Sequence, residues 1–284
     1  YPDGDTRGWK VPSARKRVQS DKKWRDHVRT CLYRPFDYRV VYWTEWMVDW
    51  PRPELTRHLD IDKNYALITT RITKDAFAAF ATRCVPGHKT VGAYDVNYVF
   101  PLLVDPSSGR QATMFQGSGP QPNLAPKFGE DIGKALRLSV PKGKLLPAGI
   151  SHEDVFRYVY AVCHSPSYRD RYSELLKVDF PRIPLPASLE LFKDLALAGA
   201  ELFDLHLMEG KQKKVAAPST FVGAPTTEVD KVSYSAKTVW IDKRTTAGFR
   251  GVNEDIWNFH VGGFQVCEKW LKDRKGRTLS KDDI

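Results

Sequence analysis

Three prolines within six residues, Pro181, Pro184 and Pro186, stand directly before a 22-residue stretch that contains none. Proline lacks a backbone N–H and fixes its φ angle, so residues 178–186 fit neither a helix nor a central strand and must be extended. From Ala187 to Met208 apolar residues recur at helical spacing. The sequence therefore predicts a stiff extended segment that leads into a long helix.

This predicted helix is amphipathic. Its charged side carries Glu190, Lys193, Asp194, Glu201 and Asp204. Its apolar side carries Leu191, Phe192, Leu195, Ala198, Gly199, Leu202, Phe203 and Leu205, and His206 lies on the same side as a packed residue. Some of these apolar residues are spaced alternately four and three positions apart, as in the seam between two packed helices. A helix of 22 residues is about 33 Å long. A spacer helix between domains and an ordinary core helix both fit this pattern.

The rest of the chain mixes helices and strands. The residues up to about Thr30 predict a basic helix. Ser151 and Asp154 form a capping box, which predicts the start of a second helix. Segments rich in β-branched and aromatic residues predict strands at 37–43, 64–72, 96–104 and 232–242. Residues 105–126, dense in Gly, Pro and Ser, predict a loop. The expected fold is a mixed α+β class, a twisted sheet with flanking helices and the long helix.

Charge is unevenly distributed along the 284 residues, whose formal net charge is +10. Residues 1–39 carry +6 and residues 211–250 carry +5, whereas residues 151–210 carry −4. If the ligand is a polyanion, the two basic segments are expected to face it. The pattern also suggests three parts, residues 1–150, 151–210 and 211–284.

The sequence holds few signs of bond chemistry. Its four cysteines, at positions 31, 84, 163 and 267, have neither the spacing of a zinc site nor that of a disulfide framework, which favours a reducing cytoplasm. No apolar run is long enough for a membrane span. Phosphate-loop, dinucleotide, zinc-protease and nucleophile-elbow motifs are absent. One alternative is that the chain is a hydrolase that uses scattered carboxylates such as Asp95, Asp105 and Asp242.

Residues 32–59 interleave arginines with aromatic residues. Arg34, Arg39, Arg52 and Arg57, with Arg29 just ahead, alternate with Tyr33, Tyr38, Tyr42, Trp43, Trp46 and Trp50. Arginine offers a planar donor fork to phosphates or guanine edges, and aromatic faces stack on exposed bases. The alternative is that the aromatic residues belong to the core and Arg34 pairs with Asp37.

Six blocks of the chain, in order, resemble the C-terminal specificity region of Type ISP restriction-modification enzymes. The blocks are YRPFDYRVVYW, RPELTRHL, YALITTRIT, YVFPLLV, EDVFRYVYAVCHSPSYRDRYSELLKVDFPRIPLP and NFHVGGFQVCEKWLKDRKGRTLSKDDI, with gaps at 105–150 and 211–230. The IPLP segment also resembles the hinge before the spacer helices of Type I specificity subunits. In this family nuclease, helicase-like ATPase, adenine methyltransferase and recognition parts share one polypeptide. The methyltransferase Asn/Asp-Pro-Pro-Tyr/Phe signature and the helicase motifs are absent here.

The resemblance implies that this chain is the DNA target-recognition part of such an enzyme, without catalysis of its own. Its partners would be double-stranded DNA and the methyltransferase domain of the same polypeptide. S-adenosylmethionine, ATP and Mg²⁺ are expected only in the parent enzyme. Ser280 and Asp283 resemble a capping box, so a helix is expected to begin where the sequence stops.

Charge and loop position, rather than a family map, select the predicted DNA contacts. They are Arg34, Arg39, Arg52, Arg57, Arg71, Arg83, Lys89, Lys243, Arg244 and Arg250. Besides the hydrolase, the remaining alternative is a stand-alone assembly module whose basic face binds nucleic acid or protein.

Overall fold

The computed structural model describes residues 9–48, 50–106, 119–209 and 219–283. Within these ranges the chain forms helices and short strands, and the strands assemble into five small sheets. The predicted mixed α+β class is confirmed. Among the described residues the strands are divided between these small sheets rather than joined in one large sheet.

The N-terminal part consists of a basic helix and a hairpin. Its elements are helix α1 (Val11–Ser20), strands β1 (Val28–Arg34) and β2 (Asp37–Tyr42), and the short helix α2 (Pro53–Thr56). Strands β1 and β2 pair antiparallel. Phe36, in the turn between them, has a left-handed φ of 62°.

Helix α1 is shorter than the sequence predicted, because it ends at Ser20 and not near Thr30. The next residue, Asp21, accepts a hydrogen bond from the backbone N–H of Lys23 at 2.8 Å. Such a local bond from an aspartate offers the backbone an alternative to the helix. Strand β1 then starts at Val28, inside the segment that had been expected to be helical.

The middle of the chain adds six strands, three of which form a central sheet. The strands are β3 (Ala66–Thr69), β4 (Ala79–Thr82), β5 (Val85–Pro86), β6 (Tyr98–Pro101), β7 (Leu103–Val104) and β8 (Gln121–Pro122). Strand β3 lies between β4 and β6, β5 pairs parallel with β1, and β7 pairs with β8. Every residue of β3 and β4 is buried. The strands predicted at 64–72 and 96–104 are confirmed, and most of the predicted loop, at 107–118, lies outside the described residues.

Four helices pack on this sheet. They are α3 (Pro126–Leu136), α4 (His152–His164), α5 (Pro166–Arg171) and α6 (Leu189–His206). The predicted capping box at the start of α4 is present, with the Ser151 hydroxyl accepting from the Asp154 N–H at 3.1 Å. The proline segment 181–186 is neither helix nor strand, as predicted. Ser188 then caps α6 by accepting from the N–H of Leu191.

Helix α6 buries part of the apolar side that the sequence predicted, but the outer leucines of the seam are not in its buried stripe. Phe192, Ala196, Gly199 and Phe203 are buried, whereas Leu191 and Leu205 are each 44% exposed. The cause is the close packing of α6 on α4. A Cβ atom at Gly199 would lie 2.0 Å from the carbonyl oxygen of Arg157, so only glycine permits this approach.

The C-terminal part has its own sheet and core. Its elements are β9 (Thr220–Val222), β10 (Ser233–Ser235), β11 (Thr238–Trp240), β12 (Gly248–Arg250), α7 (Glu254–Trp257), β13 (His260–Val261), β14 (Phe264–Gln265) and α8 (Val266–Lys272). The four-stranded sheet has the order β10-β11-β12-β9. Val229, Val239, Ile241, Ala247 and Leu271 form the centre of its core.

The single strand predicted at 232–242 is instead a hairpin made of β10 and β11. Its two-residue turn is Ala236–Lys237, and both residues have a positive φ, 48° and 55°. Turns of this kind match the twist of paired strands, but they usually contain Gly or Asn. Because Ala236 and Lys237 are not typical turn residues, the alternation of apolar and polar residues over 232–242 predicted one uninterrupted strand.

None of the helices in the described ranges is long and apolar enough to cross a membrane. The division into residues 1–150, 151–210 and 211–284 remains a prediction.

Candidate nucleic-acid interface

Two adjoining cavities open beside strands β1, β2 and β5, and together we call them the tryptophan groove. The first has a volume of about 420 Å³ and is lined by Trp50, Arg52, His88 and Asn97 among others. The second, of about 410 Å³, is lined by His27, Arg29, Trp46, Arg57 and Asp60 among others. Trp43, Pro51 and Thr56 border both cavities, so the two are direct neighbours.

A hydrogen-bonded cluster around Asp21 fixes one wall of the groove. The Asp21 carboxylate lies 2.7 Å from Nδ1 of His27 and also accepts a hydrogen bond from the Tyr42 hydroxyl. The hydrogen bond from Tyr42 is the main cause that lowers the pKa of Asp21. The pKa of Tyr42 is raised to about 12, first by burial and second by its hydrogen bond to Asp21. The backbone N–H of Trp43 donates to the carbonyl of His27 at 2.7 Å. The indole of Trp43 is therefore positioned by the sheet.

The first cavity is bordered by an arginine in an unusual conformation. Arg52 precedes α2 with φ 46° and ψ 56°, in the left-handed region that non-glycine residues seldom occupy. Its guanidinium lies 4.9 Å from the ring centre of Trp50, and that ring contacts the ring of His88 edge-on at 5.2 Å. Backbone strain of this kind persists where the surrounding structure holds it, often at functional sites. The arrangement places a cation and an aromatic ring side by side in the lining of the first cavity.

The charges that line the groove balance one another. Arg29 forms an ion pair with Asp60, and Arg52 lies 3.6 Å from Glu54. Arg57 and Glu45 complete the set of three arginines and three carboxylates. The groove therefore offers donors and aromatic faces, but its lining has no excess positive charge.

The structure places two of the ten predicted contacts inside the protein framework. Nη1 of Arg34 donates to the carbonyl oxygens of Tyr33 and Lys89, both at 2.9 Å. Nη2 of Arg39 donates to the buried carboxylate of Asp37 at 2.8 Å. Both guanidinium groups also stack on the ring of Tyr33. These contacts give both arginines a role in holding the first sheet.

Three further predicted contacts lie at the surface in ion pairs. Arg71 pairs with Asp179 at 3.1 Å, and Lys243 pairs with Asp230 at 3.1 Å. Arg83 makes a two-pronged contact with Glu209, whose shortest distance is 2.9 Å.

The remaining five predicted contacts lie in two regions. Arg52 and Arg57 line the tryptophan groove, and Lys89 is exposed next to the groove residue His88. Arg244 and Arg250 are exposed on the C-terminal part. The structure thus brings Arg52, Arg57 and Lys89 to one region, but it does not gather all ten residues on one site.

Some residues of the groove had no sequence signal. His88 and Asn97 come from a loop far from the arginine-rich segment, and they reach the groove because β5 pairs with β1. Asn97 is fixed by accepting a hydrogen bond from the N–H of Thr90 at 2.6 Å. The parallel pairing of β5 with β1 and the hydrogen bonds from Arg34 to Lys89 and from Thr90 to Leu32 bring this loop to the groove, and such long-range contacts have no local signature.

The scattered carboxylates do not form a second site among the described residues. Asp95 accepts from the N–H of Lys74, and Asp242 accepts from the backbone of Arg244, Thr246 and Ala247. Partial burial acts to raise the pKa of Asp242, but these hydrogen bonds outweigh it and lower the pKa. In the described part of the chain no three His, Cys, Asp or Glu side chains are grouped to hold a metal ion.

The sequence matches the family model of the Type ISP C-terminal specificity domain over residues 2–284. The chain belongs to this family. No curated protein sequence matches it.

Three solved structures share the fold. The DrdV–DNA complex, determined by cryo-electron microscopy, has a TM-score of 0.68 at 21% identity over 92% of this chain. The Type ISP enzyme LlaBIII bound to DNA has a TM-score of 0.64 at 17% identity over 96% of the chain. A nuclease-deletion mutant of the Type ISP enzyme LlaGI, in complex with a DNA substrate mimic, has a TM-score of 0.60 at 21% identity over 91%. The chain spans only 25%, 17% and 18% of these three polypeptides, respectively.

Proposed function

We propose that this chain recognises a target sequence in double-stranded DNA for a Type ISP restriction-modification enzyme. The observation that carries the proposal is the match to the specificity-domain family over residues 2–284. Two observations support it: the chain shares its fold with parts of enzymes solved on DNA, and it has a groove lined with arginine and tryptophan.

The tryptophan groove provides groups suited to reading base edges. Arg52 has 57% of its side chain exposed, so its donor fork is accessible, and Trp50 is 49% exposed beside it. A planar guanidinium donates in pairs to the N7 and O6 atoms of guanine, and an indole face stacks on a base. The contact with the Trp50 ring keeps this fork beside an aromatic face. We therefore place base recognition, rather than most of the phosphate binding, in the groove.

Catalysis and its cofactors are assigned to other parts of a longer polypeptide. In this proposal S-adenosylmethionine, ATP and Mg²⁺ bind there, and the methyltransferase domain extrudes and methylates an adenine near the site that this chain grips. The enzyme would act in the cytoplasm. The position of the carboxylates favours this proposal over a hydrolase, because Asp95 and Asp242 hold local backbone and neither lines the groove.

Helix α6 supplies a surface for the methyltransferase part. Leu191, Ala198 and Leu205 recur every seven residues and are exposed along the side of α6 that does not pack on α4. A second helix that packs on α6 would cover this strip, as in a helix seam. The proposed coupling role of α6 rests on this strip.

A gel-shift comparison tests the proposed function. The purified chain is mixed with duplex DNA, single-stranded DNA and RNA of the same mixed sequence at 50 and 200 mM salt. We expect it to prefer the duplex and to lose roughly tenfold or more in affinity at the higher salt, because bound phosphates release counterions. Equal binding of RNA or single strands would favour an assembly module instead, and turnover of a substrate by the chain would favour an enzyme.

A further inference from the structure

The lining of the tryptophan groove has no excess positive charge that could attract a polyanion. Phosphate contacts supply much of the binding free energy in protein–DNA complexes, and they require accessible positive charge. The three arginines of the groove face three carboxylates, so the positive charge must come from a neighbouring surface. The most concentrated candidate is the segment from Arg15 to Arg25.

We infer that α1 and the turn after it bind the phosphodiester backbone of the duplex whose bases enter the tryptophan groove. This inference rests on the proposed function and adds a second, sequence-independent contact to it. The surface is defined by six cations within eleven residues: Arg15, Lys16, Arg17, Lys22, Lys23 and Arg25. We call it the α1 cation surface.

All six side chains of the α1 cation surface belong to exposed residues. None of them forms an ion pair with a carboxylate in the described part of the chain, in contrast to Arg29, Arg71 and Arg83. Two acids adjoin these cations in sequence. Asp21 is occupied by His27 and Tyr42, and Asp26, also within the described ranges, forms an ion pair with none of the six cations. The charges are therefore available to a ligand.

The α1 cation surface is fixed next to the groove. The indole N–H of Trp9 donates to the carbonyl oxygen of Trp46 at 2.9 Å, and Ala14 buries one side of α1. The guanidinium of Arg17 lies 5.8 Å from the ring centre of Trp46, which lines the second cavity. At the other end of α1, the Asp21 cluster ties the turn to β2. The cations thus continue the wall of the groove rather than forming a separate patch.

The length of the surface suits a stretch of one DNA strand. A helix of ten residues such as α1 is about 15 Å long, and phosphates of one strand recur about every 3.4 Å along the duplex axis. The helix therefore runs past about four phosphates. Only Arg15, Lys16 and Arg17 lie on α1 and the other three cations follow it, so we expect two or three phosphates to be contacted.

The test compares two variants with equal changes of net charge. The first combines Lys16→Gln, Lys22→Gln and Lys23→Gln on the α1 cation surface. The second combines Lys134→Gln, Lys142→Gln and Lys144→Gln, three exposed lysines that do not line the groove and form no ion pair with a described carboxylate. Affinity for a 30-base-pair duplex is measured by fluorescence anisotropy across a salt series, and a urea midpoint checks that each variant is folded.

For the α1 variant, the plot of log affinity against log salt concentration is expected to be less steep than for the unmodified chain, with a slope smaller in magnitude by about two. Each phosphate contact that is lost accounts for about 0.9 of this difference. The control variant should keep the slope of the unmodified chain. Equal slopes for the α1 variant and the unmodified chain would overturn the inference while leaving the proposed function intact. Failure of the unmodified chain to bind the duplex would overturn both.

A second readout separates backbone contact from base reading. The α1 variant is expected to weaken binding to duplexes of different sequence by the same factor, because phosphates carry no sequence information. If the α1 variant prefers a different sequence from the unmodified chain, the α1 cation surface reads bases and the inference is wrong.

Discussion

Nη2 of Arg274 lies 3.1 Å from Oδ1 of Asp37, which ties the segment after α8 to the first hairpin. Asp37 is fully buried, and its other oxygen accepts from Arg39. The guanidinium of Arg274 also stacks on the ring of Trp270 at 3.4 Å. One buried carboxylate thus joins the two ends of the described chain, and it does so next to the strands that build the tryptophan groove.

Replacing this carboxylate should destabilise the fold. In Asp37→Asn, two arginines lose their shared negative partner inside the protein, and breaking a buried pair in this way costs roughly 3 kcal/mol. Urea unfolding followed by circular dichroism measures the loss. The matched control is Asp60→Asn, which breaks the exposed pair with Arg29 and should cost less than about 1 kcal/mol. Equal losses for the two variants would contradict the structural role of Asp37.

A buried histidine should make the fold sensitive to mild acid. Burial, with smaller contributions from the nearby His164 and Arg169, lowers the pKa of His206 from 6.5 to about 3. The Tyr160 hydroxyl lies 2.5 Å from its Nδ1, an arrangement that suits a neutral imidazole accepting the bond. Because the unfolded chain binds a proton below pH 6.5 and the folded chain does not, the free energy of unfolding should fall as the pH decreases.

The expected loss from His206 alone is about 2 kcal/mol between pH 6.5 and pH 5. His164 and His58, whose pKa values are also lowered mainly by burial, add to it with the same sign. Urea unfolding at several pH values measures this dependence, and His206→Gln should flatten it in part. A free energy of unfolding that stays constant over this range would contradict the assignment.

The contact between α4 and α6 should be intolerant of one added carbon atom. In an exposed helix, Gly→Ala gains about 1 kcal/mol of helix propensity. At Gly199 the new methyl group would meet the carbonyl oxygen of Arg157, and overpacking of this kind costs typically about 1–3 kcal/mol. We therefore expect Gly199→Ala to lower the urea midpoint. A raised midpoint would show that α6 is not packed this closely.

Ion pairing divides the predicted DNA contacts into two groups with different expected behaviour. Arg244 and Arg250 form no ion pair with a described carboxylate, whereas Arg83 is held by Glu209. If Arg244 and Arg250 contact phosphates, Arg244→Gln and Arg250→Gln should each reduce the salt slope of duplex binding by about one unit. Arg83→Gln should leave that slope unchanged. Anisotropy titrations at several salt concentrations measure all three, and the reverse pattern would contradict this division.

The sequence predicted best those parts of the fold that depend on local chemistry. The capping box at Ser151 and the proline segment before α6 need only neighbouring residues, and both are confirmed. The end of α1 and the hairpin at Ala236–Lys237 were missed, because an aspartate turn and two left-handed residues other than glycine have weak signatures. The apolar side predicted for α6 includes the buried Phe192, Gly199 and Phe203. Leu191 and Leu205 of the predicted seam are exposed, because helix packing depends on a partner that periodicity does not reveal.

The candidate site was predictable only in part, for similar reasons. The aromatic residues of segment 32–59 include Trp43, Trp46 and Trp50, which line the groove, but they also include Tyr33, which stacks on arginines in the first sheet. Spacing alone did not separate these two roles. His88 joins the groove through strand pairing between distant segments, so no local pattern pointed to it.

The most direct measurement of the central claim is selection of duplexes by the purified chain from a library with a randomised centre. If the chain reads sequence through the tryptophan groove, one class of sites is enriched, and its members bind at least about tenfold more tightly than shuffled duplexes. This factor is smaller than the ratio of specific to non-specific affinity that is typical of sequence-specific DNA-binding proteins. Arg52→Gln should relax one position of the enriched site at a cost of about 1–3 kcal/mol. Equal binding of selected and shuffled duplexes would contradict the claim that this chain recognises a DNA target.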